Sequence, residues 1–379
     1  MSSVDQVFDS VGLILVVTEV VNIRYIGTGR RRREVRNVET QVKFGTGFIV
    51  DGNFENGQLR NSNSSDTPIV VSVAHLIPTS GTSRYYLKLF DNSSKISKIH
   101  ELSLEVYNRS IDICVFKFLS VPSVQCLQWN TGAQKSGDVC YLAGYPLGDS
   151  QLSIVKGSIR DPTYCFTDLG SGIDQLYHSA PATRGNSGSC VLDGSSNIIG
   201  IHAWGYADGL TSGYENFTGG PSTHSAFKII SYMVQNTNLA LNKYFPRVQL
   251  CIYAKILDDL FRIQNLTNSN LNNVDGLVIT GIPNTIANYT VNAHNLRAGT
   301  TKIAVNDLIT SIFDNSKSEY IPVGYSRESP LNILFTHPLN TPIKIKIRKA
   351  PVYNVEYEIT LENPYKSIVS QDAFYSNFI

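Results

Sequence analysis

Apolar residues in this 379-residue chain cluster in short β-branched runs and show little helical spacing. Ile69-Val70-Val71-Ser72-Val73-Ala74-His75-Leu76 reads as a strand that ends in a histidine, and Ile111-Asp112-Ile113-Cys114-Val115-Phe116 as one whose start places a carboxylate among apolar neighbours. Ile199-Gly200-Ile201-His202-Ala203-Trp204-Gly205 has the same character. Further strands are expected at residues 11–21, 40–50, 137–146, 274–283 and 304–312. Ile343-Lys344-Ile345-Lys346-Ile347-Arg348 alternates with period two, the pattern of a strand with one solvated face. Strands joined by Gly, Asn and Ser turns outnumber amphipathic helices, so the expected class is all-β.

The length exceeds what one core usually serves and implies two or three domains. The polar stretch Gln235-Asn236-Thr237-Asn238 separates the first half from a second β-rich unit, giving expected segments 1–240, 246–362 and a tail at 363–379. A net charge of +1 offers no pull towards nucleic acid or an anionic membrane. The one basic cluster, Arg30-Arg31-Arg32-Arg33, falls between two strand-like runs, where it reads as an exposed hairpin loop.

The richest local chemistry is in Thr183-Arg184-Gly185-Asn186-Ser187-Gly188-Ser189. A serine between small, backbone-permissive residues can be an exposed nucleophile. Gly185 would let its own N–H and that of Ser187 point at one spot, where a tetrahedral oxyanion would sit. Such a run also suits an ordinary surface turn, and Asp112 could equally cap a turn. The order His75, Asp112, Ser187 is more specific than any one of the three.

These residues resemble the trypsin-like (chymotrypsin-fold) serine peptidases, whose triad occurs in that chain order. Ala74-His75 resembles the histidine motif, Asp112-Ile113 the aspartate motif and Gly185-Asn186-Ser187-Gly188 the serine motif. Phe44-Gly45-Thr46-Gly47-Phe48 is similar to the family's Gly-rich second strand. The resemblance implies a double β-barrel with catalytic His75, Asp112 and Ser187 and an oxyanion hole from Gly185 and Ser187. It places Thr183, His202, Ala203 and Trp204 at the substrate pocket. Asn186 replaces the aspartate that pairs with a freed N-terminus in digestive members, so activation by clipping is not expected. No acidic residue occurs at 180–184, which argues against Arg or Lys before the cut. His202 is similar to the pocket histidine of glutamyl endopeptidases and viral 3C-like peptidases, which favours Glu or Gln; an apolar pocket accepting Val, Ala or Leu is the alternative.

The second half resembles a PDZ domain of the kind that follows the peptidase in HtrA (DegP-like) proteins, through Gly276-Leu277-Val278-Ile279 and Asn306-Asp307-Leu308-Ile309. Its carboxylate loop would lie near Val248-Gln249-Leu250-Cys251-Ile252, which lacks glycine, so a module that only packs on the peptidase is the other reading. The terminal Phe374 to Ile379, with its apolar end and free carboxylate, is a candidate occupant of such a groove. HtrA resemblance also implies homotrimers formed through N-terminal aromatics, for which Phe8 is the candidate.

Cys114, Cys126, Cys140, Cys165, Cys190 and Cys251 show no Cys-x-x-Cys spacing, so no zinc, other metal or cofactor is expected. A Cys140–Cys190 disulfide is left open. The first residues lack a basic n-region and an apolar h-region, which implies no signal peptide and a soluble cytoplasmic or viral setting. The expectation is therefore a serine endopeptidase acting on protein or peptide substrates. Its alternative is a catalytically silent peptidase-fold scaffold that binds peptides or partner proteins.

Overall fold

The computed structural model describes residues 3–26, 33–91, 96–165, 174–205, 218–240, 242–245, 253–256, 271, 276–281, 303–323, 332–338 and 341–361. The chain divides into two compact units, one of Met1–Asp161 with Leu176–Phe245 and one of Pro162–Gln175 with Pro246–Ile379.

The first unit opens with helix α1 (Ser3–Ser10), on which Phe8 is half-buried. A closed barrel follows, built from β1 (Val11–Ile26), β2 (Arg33–Asp51), β5 (Pro68–Ser72), β6 (Thr82–Asp91), β7 (Ile96–Asn108) and β8 (Ile113–Phe118), with a small hairpin of β3 (Phe54–Glu55) and β4 (Gln58–Leu59) off its path. Its strand order is β1-β2-β5-β8-β7-β6. β5 is buried along its whole length. It pairs with β2 through Phe48↔Val71 and with β8 through Val71↔Val115, which explains a run with no polar alternation.

A seven-stranded sheet comes next, containing β9 (Val139–Gly144), β10 (Ser153–Cys165), β11 (Asp174–His178), β12 (Cys190–Leu192), β13 (Ile198–Ile201), β14 (Trp204–Gly205) and β15 (Thr218–Pro221). Its order is β13-β12-β9-β10-β11-β15-β14, and a bridge between Gly200 and Ser222 brings β13 to the chain just after β15. Cys140, Leu142, Ile159, Leu176, Val191 and Ile199 form its core. The fold is all-β.

Several local expectations are corrected. The strand before His75 stops at Ser72, and His75 sits on a 3₁₀ turn, Ala74–Leu76. Asp112 is the last residue of a turn, not the first of a strand, and has φ +55°. Residues 304–307 are a turn, with Asn306 at φ +72°, and the strand begins at Leu308. Helix α2 (Thr223–Gln235), to which no element is assigned from sequence, contains β-branched and aromatic residues of modest helix propensity and packs against β13 and β4. The β1–β2 hairpin pairs without a break from Val11↔Phe48 to Ile26↔Arg33, whereas β6 joins β1 only over Leu13 to Glu19. A two-stranded arm results. Arg33 begins β2, while Arg30 to Arg32 lie outside the described residues. Cys140 and Cys190 are both free and buried, because the β9–β12 register sets Cys190 opposite Ala143 instead.

The second unit contains β16 (Tyr253–Ile256), β17 (Leu277–Gly281), β18 (Leu308–Asp314), β19 (Glu319–Pro322), helix α3 (Asn332–Thr336), β20 (Ile343–Arg348) and β21 (Glu356–Leu361). The strand order is β16-β17-β18-β20-β21, with β19 on β18. Ile343, Ile345 and Ile347 are each fully buried and pack with Leu277, Ile279, Ile309 and Leu334, while Lys344 faces solvent. The period-two pattern thus separates one core face from one wet face. Residues 248–252 and the tail lie outside the described residues.

Ile345→Ala should cost about 2–5 kcal/mol of stability by leaving a cavity, and Lys344→Ala less than about 1 kcal/mol. Chemical denaturation of the two variants checks this; equal losses would contradict the alternating faces.

Candidate functional site

Asp112 holds His75 at two points. One carboxylate oxygen accepts the His75 backbone N–H at 2.8 Å, and the other accepts from the ring Nδ1 at 2.7 Å. The ring is thereby fixed in orientation and in tautomer, with Nε2 left to act as a base. Both turns that carry the pair are braced. Asn108, fully buried, accepts from the Ser110 hydroxyl at 2.7 Å and the Ile111 amide at 3.2 Å, and donates to the Phe245 carbonyl at 2.7 Å. The Asp112 amide closes onto the Arg109 carbonyl, and the Arg109 guanidinium reaches the carbonyl of Ile77, next to the histidine's turn. The left-handed backbone of Asp112 is one that aspartate tolerates better than most residues.

Burial opposes a charged His75, but the Asp112 carboxylate outweighs it through its charge and its hydrogen bond, against the cations of Lys43 and Arg109. The net result is a raised imidazole pKa. His75 and Asp112 side chains remain 23% and 27% exposed, so the pair faces solvent.

Ser187 is tied to β2. Its carbonyl accepts the Thr46 amide at 2.8 Å. Gly45, the preceding residue, has room for no side chain, because a Cβ there would meet Leu76 at 2.5 Å and the Ser187 carbonyl at 2.9 Å. One glycine therefore lets the neighbour of His75 and the backbone of Ser187 approach each other. Gly188, at φ +87°, sits against the Thr46 carbonyl and the Ser72 hydroxyl, three residues before His75.

Every carbonyl from Arg184 to Ser187 is committed. Arg184 accepts from Leu147 N–H at 2.5 Å, Gly185 from the Thr46 hydroxyl at 2.8 Å, Asn186 from Ser189 N–H at 2.9 Å and Ser187 from Thr46. Because a trans peptide holds its C=O and the following N–H on opposite sides, these bonds also fix where the amides of Gly185 and Ser187 point. Neither of those two N–H groups donates to a protein acceptor among the described residues. Gly185, at φ +95°, lies so close to Tyr145 and Leu147 that a side chain there would collide with their backbone.

Of the expected pocket residues, Thr183 is exposed, Trp204 half-buried, and His202 and Ala203 buried. His202 is tied to the serine turn by its backbone: its carbonyl accepts from Gly188 N–H at 2.8 Å and its N–H donates to Ser189 at 2.8 Å. Two residues missed from sequence complete this region. The His202 ring nitrogen Nδ1 lies 3.4 Å from Nε2 of His178, whose Nδ1 lies 3.0 Å from the Thr218 hydroxyl. Burial pulls His178 down to about 4, and burial with the neighbouring His178 and His75 pulls His202 well below the ordinary range. Both are neutral at physiological pH. His178, fully buried, cannot meet a substrate as a base. No motif marks it in the apolar run Leu176-Tyr177-His178, and only the pairing of sheet neighbours brings it to His202.

Residues 45–201 match the trypsin-like peptidase domain family. No curated protein matches the chain in sequence. Among solved structures, the HtrA-type protease AlgW with decapeptide is similar at TM-score 0.54 and 16% identity, covering 95% of this chain and 97% of that one. AlgW with tripeptide is similar at TM-score 0.57 and 16% identity, covering 95% of each chain. Among the described residues no helix is long and apolar enough to cross a membrane.

Nitrogen-detected NMR should find His75 titrating above about 6.5, the ordinary value, and moving down in Asp112→Asn. The sign for stability follows from linkage: a raised folded-state pKa stabilises fully below the unfolded-state value, and that contribution is lost as pH rises through the folded-state one. An identical midpoint in both proteins would contradict the pairing.

Proposed function

We propose, from the trypsin-like peptidase domain that residues 45–201 carry, that the chain is a serine endopeptidase. The observations that support this reading are a carboxylate-held imidazole and, tied through Gly45 and Thr46 to the strand beside it, a serine turn whose carbonyls are all bonded and whose two relevant amides are not. In this reading Ser187 Oγ attacks the scissile carbonyl while His75 Nε2 takes its proton. The carbonyl oxygen, now negative, accepts from the N–H groups of Gly185 and Ser187. Collapse breaks the C–N bond, and His75 returns the proton to the leaving amine. Water then repeats the sequence on the acyl-enzyme. Asp112 stabilises the imidazolium formed in each half.

The second unit, a six-stranded antiparallel sheet, is in the same reading a PDZ-like module. Peptide or protein is the substrate class, consistent with the peptides in the AlgW structures.

The arrangement around His202 favours a polar residue before the cut. Its Nδ1 lies 3.4 Å from Nε2 of His178, and the His202 ring is buried beside the serine turn. A neutral imidazole so placed suits hydrogen bonding to Gln or Glu better than burial of an aliphatic chain.

A fluorophosphonate probe should label Ser187 at a pH where His75 is neutral. Ser187→Ala should give no adduct and lose about 10⁴–10⁶-fold in peptide hydrolysis. Absence of any adduct in the unaltered protein would favour a silent scaffold. Cut sites mapped on denatured proteins should follow Gln or Glu, with the preference lost in His202→Val; cuts after aliphatic residues alone would remove the His202 assignment.

A further inference from the structure

The Thr46 hydroxyl occupies a position that the reaction scheme does not use. It is fully buried, donates to the Gly185 carbonyl at 2.8 Å and accepts from the Tyr145 N–H at 3.0 Å. The Thr46 amide meanwhile holds the Ser187 carbonyl at 2.8 Å, and the Thr46 carbonyl accepts from the Ser72 hydroxyl at 2.6 Å. All the polar groups of one residue are thus spent on joining three segments: the serine turn, residues 145–147 and the strand that leads to His75.

We propose that Thr46 is a positioning residue for the oxyanion site, its hydroxyl setting the spacing between the Gly185 turn and the Tyr145 to Leu147 segment. This rests on the peptidase reading above. The geometric reason is a chain of peptide planes. Leu147 N–H holds the Arg184 carbonyl at 2.5 Å, and that carbonyl shares a peptide plane with Gly185 N–H. With the carbonyl held towards Leu147, the amide must face the opposite way, towards the substrate side. Leu147 can reach Arg184 only while its segment stays docked against the turn. It does so in a left-handed conformation, φ +56°, that a leucine adopts at a cost. The Thr46 hydroxyl bridges these same two segments by bonding the next carbonyl in the turn, Gly185, and the amide two residues before Leu147. Without it, both buried groups lose their partner, and the 184–185 peptide is freer to rotate and withdraw its N–H.

A hydroxyl is required, and the Thr46 methyl is not. Thr46→Val keeps the shape and removes the bridge, whereas Thr46→Ser keeps the bridge. Thr46→Val should lower kcat by about 10²-fold, the scale of losing one oxyanion donor, with KM little changed. Thr46→Ser should restore activity to within a few-fold. The decisive readout is the hemiketal formed by a peptidyl trifluoromethyl ketone, followed by fluorine NMR. Its ionisation should move to higher pH in Thr46→Val and return in Thr46→Ser, while the His75 titration stays where it is in the unaltered protein. A purely structural role would lower the melting temperature without moving the hemiketal ionisation. If Thr46→Val does not fold, Thr46→Cys, whose thiol is a weaker donor and acceptor of similar size, should show an intermediate shift. Unchanged kcat and unchanged hemiketal ionisation in folded Thr46→Val or Thr46→Cys would overturn the proposal. Absence of a hemiketal in the unaltered protein would instead remove the peptidase reading on which it rests.

Discussion

The 2.8 Å hydrogen bond from the Thr46 amide to the Ser187 carbonyl joins a strand of the barrel to a turn of the second sheet, and the geometry of the site depends on it. The barrel carries His75 and Asp112, the proposed base and its acid partner; the second sheet carries the Ser187 turn, the proposed source of the alcohol and the amides. A serine alcohol is a poor nucleophile unless a base waits within hydrogen-bonding reach, so the two halves must be locked with little play. Glycine at position 45 permits that closeness, since a larger residue would push Leu76 and Ser187 apart.

Three histidines share this region and are driven in opposite directions by what surrounds them. His75 keeps an anionic partner and partial exposure, so its imidazolium is favoured. Among the described residues no carboxylate pairs with His178 or His202, and burial lowers the pKa of both. Proximity of His75 adds to the pressure on His202. In the proposed mechanism the base that must cycle between two charge states is the one with a counterion, and burial disfavours the charged form of the proposed pocket residue.

Much of this was legible in the sequence because the relevant signals are short and local. The apolar run before His75, the Gly-Asn-Ser-Gly turn and the alternation of Ile343 to Arg348 each depend on nearest neighbours. The details that failed depend on tertiary context. Asp112 sits next to a true strand, and its turn geometry comes from the buried Asn108 side chain, which no periodicity reports. Residues 223–235 contain β-branched and aromatic residues of modest helix propensity and fold as a helix packed against β13 and β4. His178 and Thr218 are 40 residues apart and meet only because their strands are neighbours in the sheet. Thr46 reads in the sequence as one small residue of a Gly-rich strand, and its four hydrogen bonds reach partners up to 141 positions away.

The central claim is that Ser187 is a nucleophile facing two preorganised amides, and a crystal structure of the protein treated with a peptide boronic acid tests it most directly. The account predicts a covalent bond from Ser187 Oγ to boron, with one boron-bound oxygen within about 3 Å of the N–H groups of both Gly185 and Ser187 and His75 Nε2 beside the other. An unmodified Ser187, or an adduct whose oxygens turn away from those amides, would contradict it.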